Sequence, residues 1–396
     1  MVVGFKEALE IGLNSVKNSK EPEIVNLKEA LGRVVYEDIL AVKNLPTFTN
    51  SAMDGYGFRF ENKDNKLKIV KKIYAGDIVE PILNKNECYK IMTGAKVPSD
   101  VDTIIPYEKV EKNKEFIKIL DKNLKKGNAI RLKGEEIKEK ELLIKKGERL
   151  DYAKIALLAS QGIIQIKVYK RLSIGIISGG DELKEPWEEA SEDEVYNING
   201  IHFEMLLKHY GFESEYLGKL ADNLEEIEEF IDKLKGYDVI ITSGGISGGD
   251  ADFTKKAFVD KGLKELFHGV KIKPGHPTMF GIIKDSFVMA FPGNPLAAII
   301  NLLLLGIPVI SKMQGVKDFN FTKVSLFMSQ DLYLKGGRVN IVLGEMQQKL
   351  FIPYKNNKYG SGMITPLVKS NAIVIFDEQK EFVAKGEEVE AIICFK

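Results

Sequence analysis

The sequence predicts an α/β plus β, multidomain protein: a central doubly wound α/β domain with a small β-rich domain, an elongated helical linker domain and a C-terminal β-barrel. Three observations carry this. At 396 residues the chain is too long for one ordinary core and divides into two to four domains. From about Arg171, apolar strands alternate with helix-length periodic segments, the grammar of a parallel sheet with crossover helices. On either side of that stretch, short β-like runs alternate with turns.

Taken in order, residues 1–45 read as helical. Phe5, Ala8, Leu9, Leu13 and Val16 share one face of an amphipathic helix that does not read as a signal peptide. A second helix is expected over "IVNLKEALGRVVYEDI", ending near Ile39. Residues 46–141 carry runs such as "KLKIVKKI" and "DTIIP" between Gly, Asn and Asp turns and form the β-rich domain. Helical periodicity returns over 148–162, where the helix is expected to pack against the first helices, so that 1–45 and 142–168 make one discontinuous linker domain. The α/β domain spans 169–316, with strands "LSIGIIS", "ESEYLG" and "DVIITS" and helices "NGIHFEMLLKHYG" and "NLEEIEEFIDKLKG". Residues 317–396 revert to β runs and form the barrel. The most apolar window, residues 296–310, is short for a membrane span and is interrupted by Asn301, Gly306 and Pro308, so a buried core helix is expected.

Composition excludes several classes. Lysine plus arginine equals aspartate plus glutamate at 57 each, so no global field favours nucleic acid or an anionic membrane. The two cysteines, Cys88 and Cys394, have no metal-ligand or CxxC spacing. They suit a reducing cytosol, and a cytoplasmic protein without disulfides is expected.

The chemistry gathers at strand ends. "TSGGISGGDADFTKK", residues 242–256, follows the buried strand "DVIIT" at the edge where open α/β sheets bind ligands. Glycines there let backbone N–H groups close on an anion, and a helix expected to begin near Asp252 adds partial positive charge. Asp250 and Asp252 beside an anion require a metal or a hydrogen-bonding ring, and magnesium held by carboxylates and substrate phosphates fits. Neither GxxxxGK[ST] nor a helix-opening GxGxxG is present, so P-loop and dinucleotide readings fail. "ISGGDELKEP" (177–186) and "FPGNPLAA" (291–298) follow two further strands, with Asn294 a candidate N-cap and Pro295 suited to the first helical position. The three loops are expected to converge on one pocket.

Six stretches, "NSAMDGYG" (50–57), "KIMTGAKVP" (90–98), "SGGDEL" (178–183), "TSGGISGGDADFTK" (242–255), "KPGHPTMFG" (273–281) and "PGNPLAA" (292–298), together resemble the MoeA family of molybdopterin molybdenumtransferases, which includes the C-terminal half of gephyrin. The resemblance covers nearly the whole chain. It implies a Mog-like α/β domain and the last step of molybdenum cofactor synthesis, in which molybdate, or tungstate, is inserted into adenylylated molybdopterin and AMP is released with Mg2+ or another divalent cation. By the same resemblance Asp54, Thr93, Glu182, Asp222, Asp252 and Lys273 are catalytic, and Glu182 and Asp222 serve the metal and phosphates. Asp252 is assigned to the pterin and Lys273 to phosphate or molybdate. Substrate binding falls to Gly180, Asp181, Ser243, Gly244, Gly245, Ser247, Gly248, Pro292, Gly293, Asn294 and Ser361, the last a molybdate contact. The resemblance further implies a homodimer, with the linker domain used for dimerisation and a composite active site in which the domain carrying Asp54 and Thr93 reaches the α/β domain of the other copy. A Mog-type adenylyltransferase is a candidate partner.

The chain departs from the family pattern at several points. Gly179 stands for a threonine, Glu136 and Asn197 for aspartates, Gly269 for a lysine four residues before Lys273, and His276 for the second lysine of "KPGKP". Lys271 is a candidate to supply the lost charge. Two rival functions are molybdopterin adenylylation and a gephyrin-like scaffold. The "MDGYG" and "MTGA" motifs with the C-terminal β region argue against the first, and the retained Asp54, Asp222 and Asp252 argue against the second.

Overall fold

The computed structural model describes residues 1–16, 21–78, 80–220, 223–245 and 253–394. Its central sheet runs, in spatial order, Glu215–Leu220, Ile174–Gly179, Val239–Ser243, Ser286–Phe291, Met279–Ile283 and Lys264–His268. The first four strands are mutually parallel, Met279–Ile283 runs antiparallel to them, and Lys264–His268 is antiparallel to Met279–Ile283. Period-two alternation divides each strand between two cores. Ile176, Ile241 and Met289 face Phe203, Leu207 and the helix beginning at Pro295, while Ile177, Ile240 and Val288 face Ile227, Ile231 and Phe258. Burial on both faces is why these strands read as unbroken apolar runs.

The helical segment Pro295–Met313 has a mean hydropathy of 2.0 and is 94% buried within the protein. It is the core helix expected from its sequence. A π turn over Leu302–Gly306 adapts the backbone just ahead of Pro308, which has no N–H to donate.

The N-terminal helix is present as Phe5–Ser15, its first turn closed by Gly4 N–H donating to Glu7 Oε2 at 3.1 Å. The second expected helix is absent. Residues Pro22–Asn26 form a strand antiparallel to Gln165–Tyr169, Asn26 caps a single 3₁₀ turn over Leu27–Glu29, and Ile39–Leu40 pairs with Leu142–Ile144. Gly32 at φ +76° interrupts any helix here, and Val34 and Val35 bridge to Arg149 and Val168. Pairing with residues more than a hundred positions away outweighs the local helical spacing. The linker is therefore mainly strands and turns, not helical. Its described helix, Tyr152–Ser160, packs through Leu158 on Val25, Leu27 and Val168, whereas the first helix joins the core of the α/β domain through Ala8. The two helices do not share a core, contrary to expectation.

The β-rich region forms a sheet ordered Thr103–Pro106, Gly55–Phe58, Glu87–Ile91, Leu67–Ile73, Phe116–Ile119, Val110–Asn113. At the C-terminal end, Val339–Gln347, Leu350–Pro353, Lys323–Met328, Glu388–Ile393 and Ala372–Phe376 close into a barrel, because the last strand pairs back to the first. Ile272–Lys273 reaches over from the α/β side and adds to its edge, parallel to Val339–Asn340. Cys88 and Cys394 are both buried and free.

Candidate active site

Register aligns the strand ends that carry the three loops. Ser178 pairs with Ser243, and Ser243 with Phe291. Gly244 N–H donates to the Phe291 carbonyl at 3.1 Å. A Cβ on Gly244, whose φ is +89°, would lie 2.6 Å from the Gly179 carbonyl oxygen, so only glycine lets the first two loops close on each other. The described ends of the three loops, at Gly179, Gly244 and Gly293, meet at one edge of the sheet.

A residue not singled out in the sequence ties them together. Asn199 opens the helix Asn199–His209, is buried, and donates through Nδ2 to Ser243 Oγ at 2.6 Å and to the Gly293 carbonyl at 2.8 Å. Among the described residues its Oδ1 is buried without a partner. The available signal was its place at the start of the first crossover helix, two residues after the Asn197 departure.

Asn197 is also explained. Its Oδ1 accepts from Ser178 Oγ at 3.1 Å, and its Nδ2 donates to the Tyr216 hydroxyl at 2.7 Å and to Glu185 Oε1 at 3.2 Å. Tyr216 donates to the same Glu185 oxygen at 2.6 Å, and burial with this carboxylate raises the phenol's pKa far above its ordinary value. An aspartate at 197 would have no N–H for Glu185 and would add a second negative charge, so the amide suits a site whose acid is Glu185.

Asp181 and Glu182 are exposed at the mouth of the first loop, which is held by Val195 N–H on the Glu182 carbonyl at 3.0 Å and Lys219 Nζ on the Leu183 carbonyl at 2.6 Å. Among the described residues no three His, Cys, Asp or Glu side chains cluster as a metal site. Asp222, Ser247, Gly248, Asp250 and Asp252 lie outside the described residues. The first loop carries the exposed carboxylates of Asp181 and Glu182, and a carboxylate is a hard oxygen ligand. That fits a magnesium ion held by one or two carboxylates together with substrate phosphates.

In the third loop Pro292 is buried while Gly293 and Asn294 are exposed. Pro295 occupies the helix start as expected, but the Asn294 side chain makes no cap. The Ser361 carbonyl accepts from the Leu296 and Ala297 N–H groups instead, at 3.1 and 3.4 Å. Those first-turn donors are thus engaged by the barrel, and the loop's exposed surface is Gly293 and Asn294. The same junction encloses a cavity of about 390 Å³ lined by Lys273, Pro274, His276, Arg338, Tyr359 and Ser361 among others. Asn340, paired to Lys273, donates to the Arg338 carbonyl at 2.9 Å and holds the turn carrying that arginine. Burial pushes the Tyr359 phenol up to about 12. Arg338 carried no motif, and only the fold brings it to Lys273 and Ser361. A larger cleft of about 1030 Å³, between Leu9, Tyr169 and Phe319, has none of the expected site residues in its wall.

In the β-rich region the two motifs meet. Asp54 Oδ1 accepts from Thr93 N–H at 2.7 Å and from Thr93 Oγ1 at 2.8 Å. The Thr93 backbone bond, then its hydroxyl, hold the Asp54 carboxyl below its ordinary range, with Lys90 adding a smaller pull. Both residues are exposed.

Comparison with known proteins agrees over nearly the full length. Residues 3–162 match the MoeA N-terminal region (domain I and II), 175–312 a probable molybdopterin binding domain, and 327–394 the MoeA C-terminal region (domain IV). Among curated proteins, the chain is 33% identical over 376 residues to the molybdopterin molybdenumtransferase of Haemophilus influenzae, covering 93% of each. It is 29% identical over 383 residues to that of Staphylococcus epidermidis, covering 93% of this chain and 90% of the other. Two crystal structures of the molybdopterin biosynthesis MoeA protein of Pyrococcus horikoshii superpose with TM-scores of 0.81 and 0.85, at 30% and 28% identity, each over 99% of this chain and 99% and 100% of theirs.

Proposed function

The chain belongs to the MoeA family and is a molybdopterin molybdenumtransferase of molybdenum cofactor biosynthesis, and from that premise we propose how its residues divide the work. The substrate is adenylylated molybdopterin. The register-aligned loops carry this reading: Gly180, Asp181, Ser243, Gly244, Gly245, Gly293 and Asn294 bring polar backbone and side-chain groups to one strand-end edge, where a diphosphate and a pterin edge can both be bound. Ser247 and Gly248 extend that cradle, and Asp252 is assigned to the pterin by sequence.

Glu182, with Asp222, would hold a divalent cation such as magnesium, which supplies charge neutralisation on the phosphates when bound. Molybdate, or tungstate, occupies the cavity between Lys273, Arg338 and Ser361, where an ammonium and a forked guanidinium meet a tetrahedral dianion. Asp54 is a poor general base, because the bonds from Thr93 that lower its pKa also weaken it as a proton acceptor. Its role is that of a fixed negative charge with a second oxygen left for substrate or metal. Among the described residues the Asp54 side chain bonds only to Thr93, which suits delivery of this pair to the α/β loops of a second copy. A cytoplasmic location accords with the two free, buried cysteines.

The test is AMP release from adenylylated molybdopterin with magnesium, comparing molybdate, tungstate and no oxyanion. Release should be stimulated by an oxyanion in the wild type and lost in Asp252→Ala, while Arg338→Ala should lose the stimulation. Release that ignores both oxyanion and substitutions would refute this division of roles.

A further inference from the structure

We propose that Asn301 is a positioning residue for oxyanion binding: from within the core it holds the turn that carries Lys273, and so sets that wall of the cavity against the wall formed by Ser361. The proposal rests on the assignment of that cavity to the oxyanion.

Asn301 interrupts the most apolar window of the chain and is fully buried. Its Nδ2 donates to the Gly275 carbonyl and to Thr278 Oγ1, both at 2.7 Å, and Thr278 Oγ1 donates to the same carbonyl at 3.0 Å. Gly275 makes room for this contact. Its φ is +104°, and a Cβ there would collide with the Asn301 amide. The residues on either side are tied by backbone bonds: Ile272–Lys273 pairs with Val339–Asn340, and the His276 carbonyl accepts from the Val270 and Thr278 N–H groups, both at 2.8 Å. Gly275 stands between those ties, and Asn301 anchors it from the core.

That turn is one wall of the cavity, which Lys273, Pro274, Gly275 and His276 line together with Arg338 and Ser361. The helical segment Pro295–Asn301 touches two of the walls. At its start the Leu296 N–H donates to the Ser361 carbonyl at 3.1 Å, and at its end Asn301 holds Gly275, roughly 7 Å further along the axis. One rigid segment therefore gauges the spacing between the Ser361 wall and the Lys273 wall. Releasing the Asn301 end lets the turn shift while the Ser361 end stays in place.

The amide is a costly choice for this position. Among the described residues Asn301 Oδ1 is buried without a partner, a desolvation penalty that an apolar side chain avoids. Leucine, of nearly the same shape, would remove that orphaned oxygen, and the Gly275 carbonyl and Thr278 hydroxyl would still bond to each other. Stability alone thus favours an apolar residue here, as in the rest of this segment. What the amide adds is a fixed turn, and a residue kept at the expense of stability beside a binding cavity is the signature of a role in function.

The experiment compares full-length wild type and Asn301→Leu by thermal unfolding, by equilibrium dialysis of molybdate, and by oxyanion-stimulated AMP release. Asn301→Leu should unfold at or above the wild-type temperature, bind molybdate about tenfold more weakly, and need the same factor more molybdate for half-maximal stimulation. Its kcat at saturating molybdate and its KM for adenylylated molybdopterin should stay within about twofold of wild type. Thr278→Val, which removes one of the two tethers on the Gly275 carbonyl, should weaken molybdate binding by about threefold. A lower unfolding temperature or insolubility of Asn301→Leu, or equal weakening toward both substrates, would show a merely structural role and overturn the proposal. Molybdate affinity that falls in Arg338→Ala but not in Asn301→Leu would overturn it while leaving the cavity assignment intact. Molybdate affinity unchanged in Arg338→Ala would remove the cavity assignment, and the proposal with it.

Discussion

The strand-end loops of the α/β domain and the Asp54–Thr93 pair of the β-rich domain are built on opposite plans. The loops are fixed from beneath, by strand register, by a glycine contact and by the buried Asn199 amide that joins two of them. Asp54 and Thr93 stand exposed on short turns, and among the described residues the Asp54 side chain hydrogen-bonds only to Thr93. The described part of the first region is braced from within its own domain. The other presents one oriented carboxylate with, among the described residues, no hydrogen-bond partner beyond Thr93, which suits the composite site proposed above.

The largest effect should come from breaking that division of labour. The Asp54→Ala and Glu182→Ala proteins, each expressed alone, should lose AMP release. In the proposed homodimer, co-expression in equal amounts would yield one half mixed dimers, each with one site built from two intact parts, so about a quarter of wild-type activity should return. If one chain supplied both parts of a site, no such recovery would occur, and the contrast drawn above would be wrong.

A smaller effect separates the two regions by stability. Asn199→Ala removes two bonds and leaves Ser243 Oγ and the Gly293 carbonyl without their donor, at a cost of about 2–4 kcal/mol. Asn199→Asp keeps the shape but replaces the donating nitrogen with an acceptor and should fare no better. Asp54→Ala, in contrast, should leave the urea midpoint nearly unmoved while abolishing activity, because it removes only exposed contacts. Wild-type stability in Asn199→Asp would show that register alone holds the loops.

The same contrast accounts for what could be read from sequence. The α/β domain is legible because each of its signals is local: apolar strands, periodic helices, and glycines just after the strands. The motifs carrying Asp54 and Thr93 were visible as short patterns, and their meeting is a consequence of the sheet that pairs Gly55 with Ile91. Residues 24–39 were misread as a helix because their partners, at 142–144 and 165–169, are far along the chain and local spacing could not reveal them. Arg338 and Asn199 escaped for the same reason. A lone arginine after two glycines and an asparagine at a helix start acquire meaning only beside Lys273 and Ser243. The Ser361 carbonyl displaced Asn294 as the cap because the barrel docks on that helix end, which no pattern within "PGNP" encodes.

The smallest expected effect concerns acid. Thr93, first through its backbone N–H and then through its hydroxyl, depresses the Asp54 carboxyl below its ordinary value. A carboxyl depressed in the folded state contributes its full stabilisation above its unfolded pKa and loses it as pH falls through the folded value. Between neutral pH and about pH 5 the stability difference between wild type and Asp54→Asn should therefore be constant, and it should shrink only on further acidification, below the ordinary aspartate range. Urea titrations of both proteins across that interval check the sign. A difference that already declines between about pH 7 and 5 would mean that Asp54 is not held ionised by Thr93, which would restore it as a candidate general base.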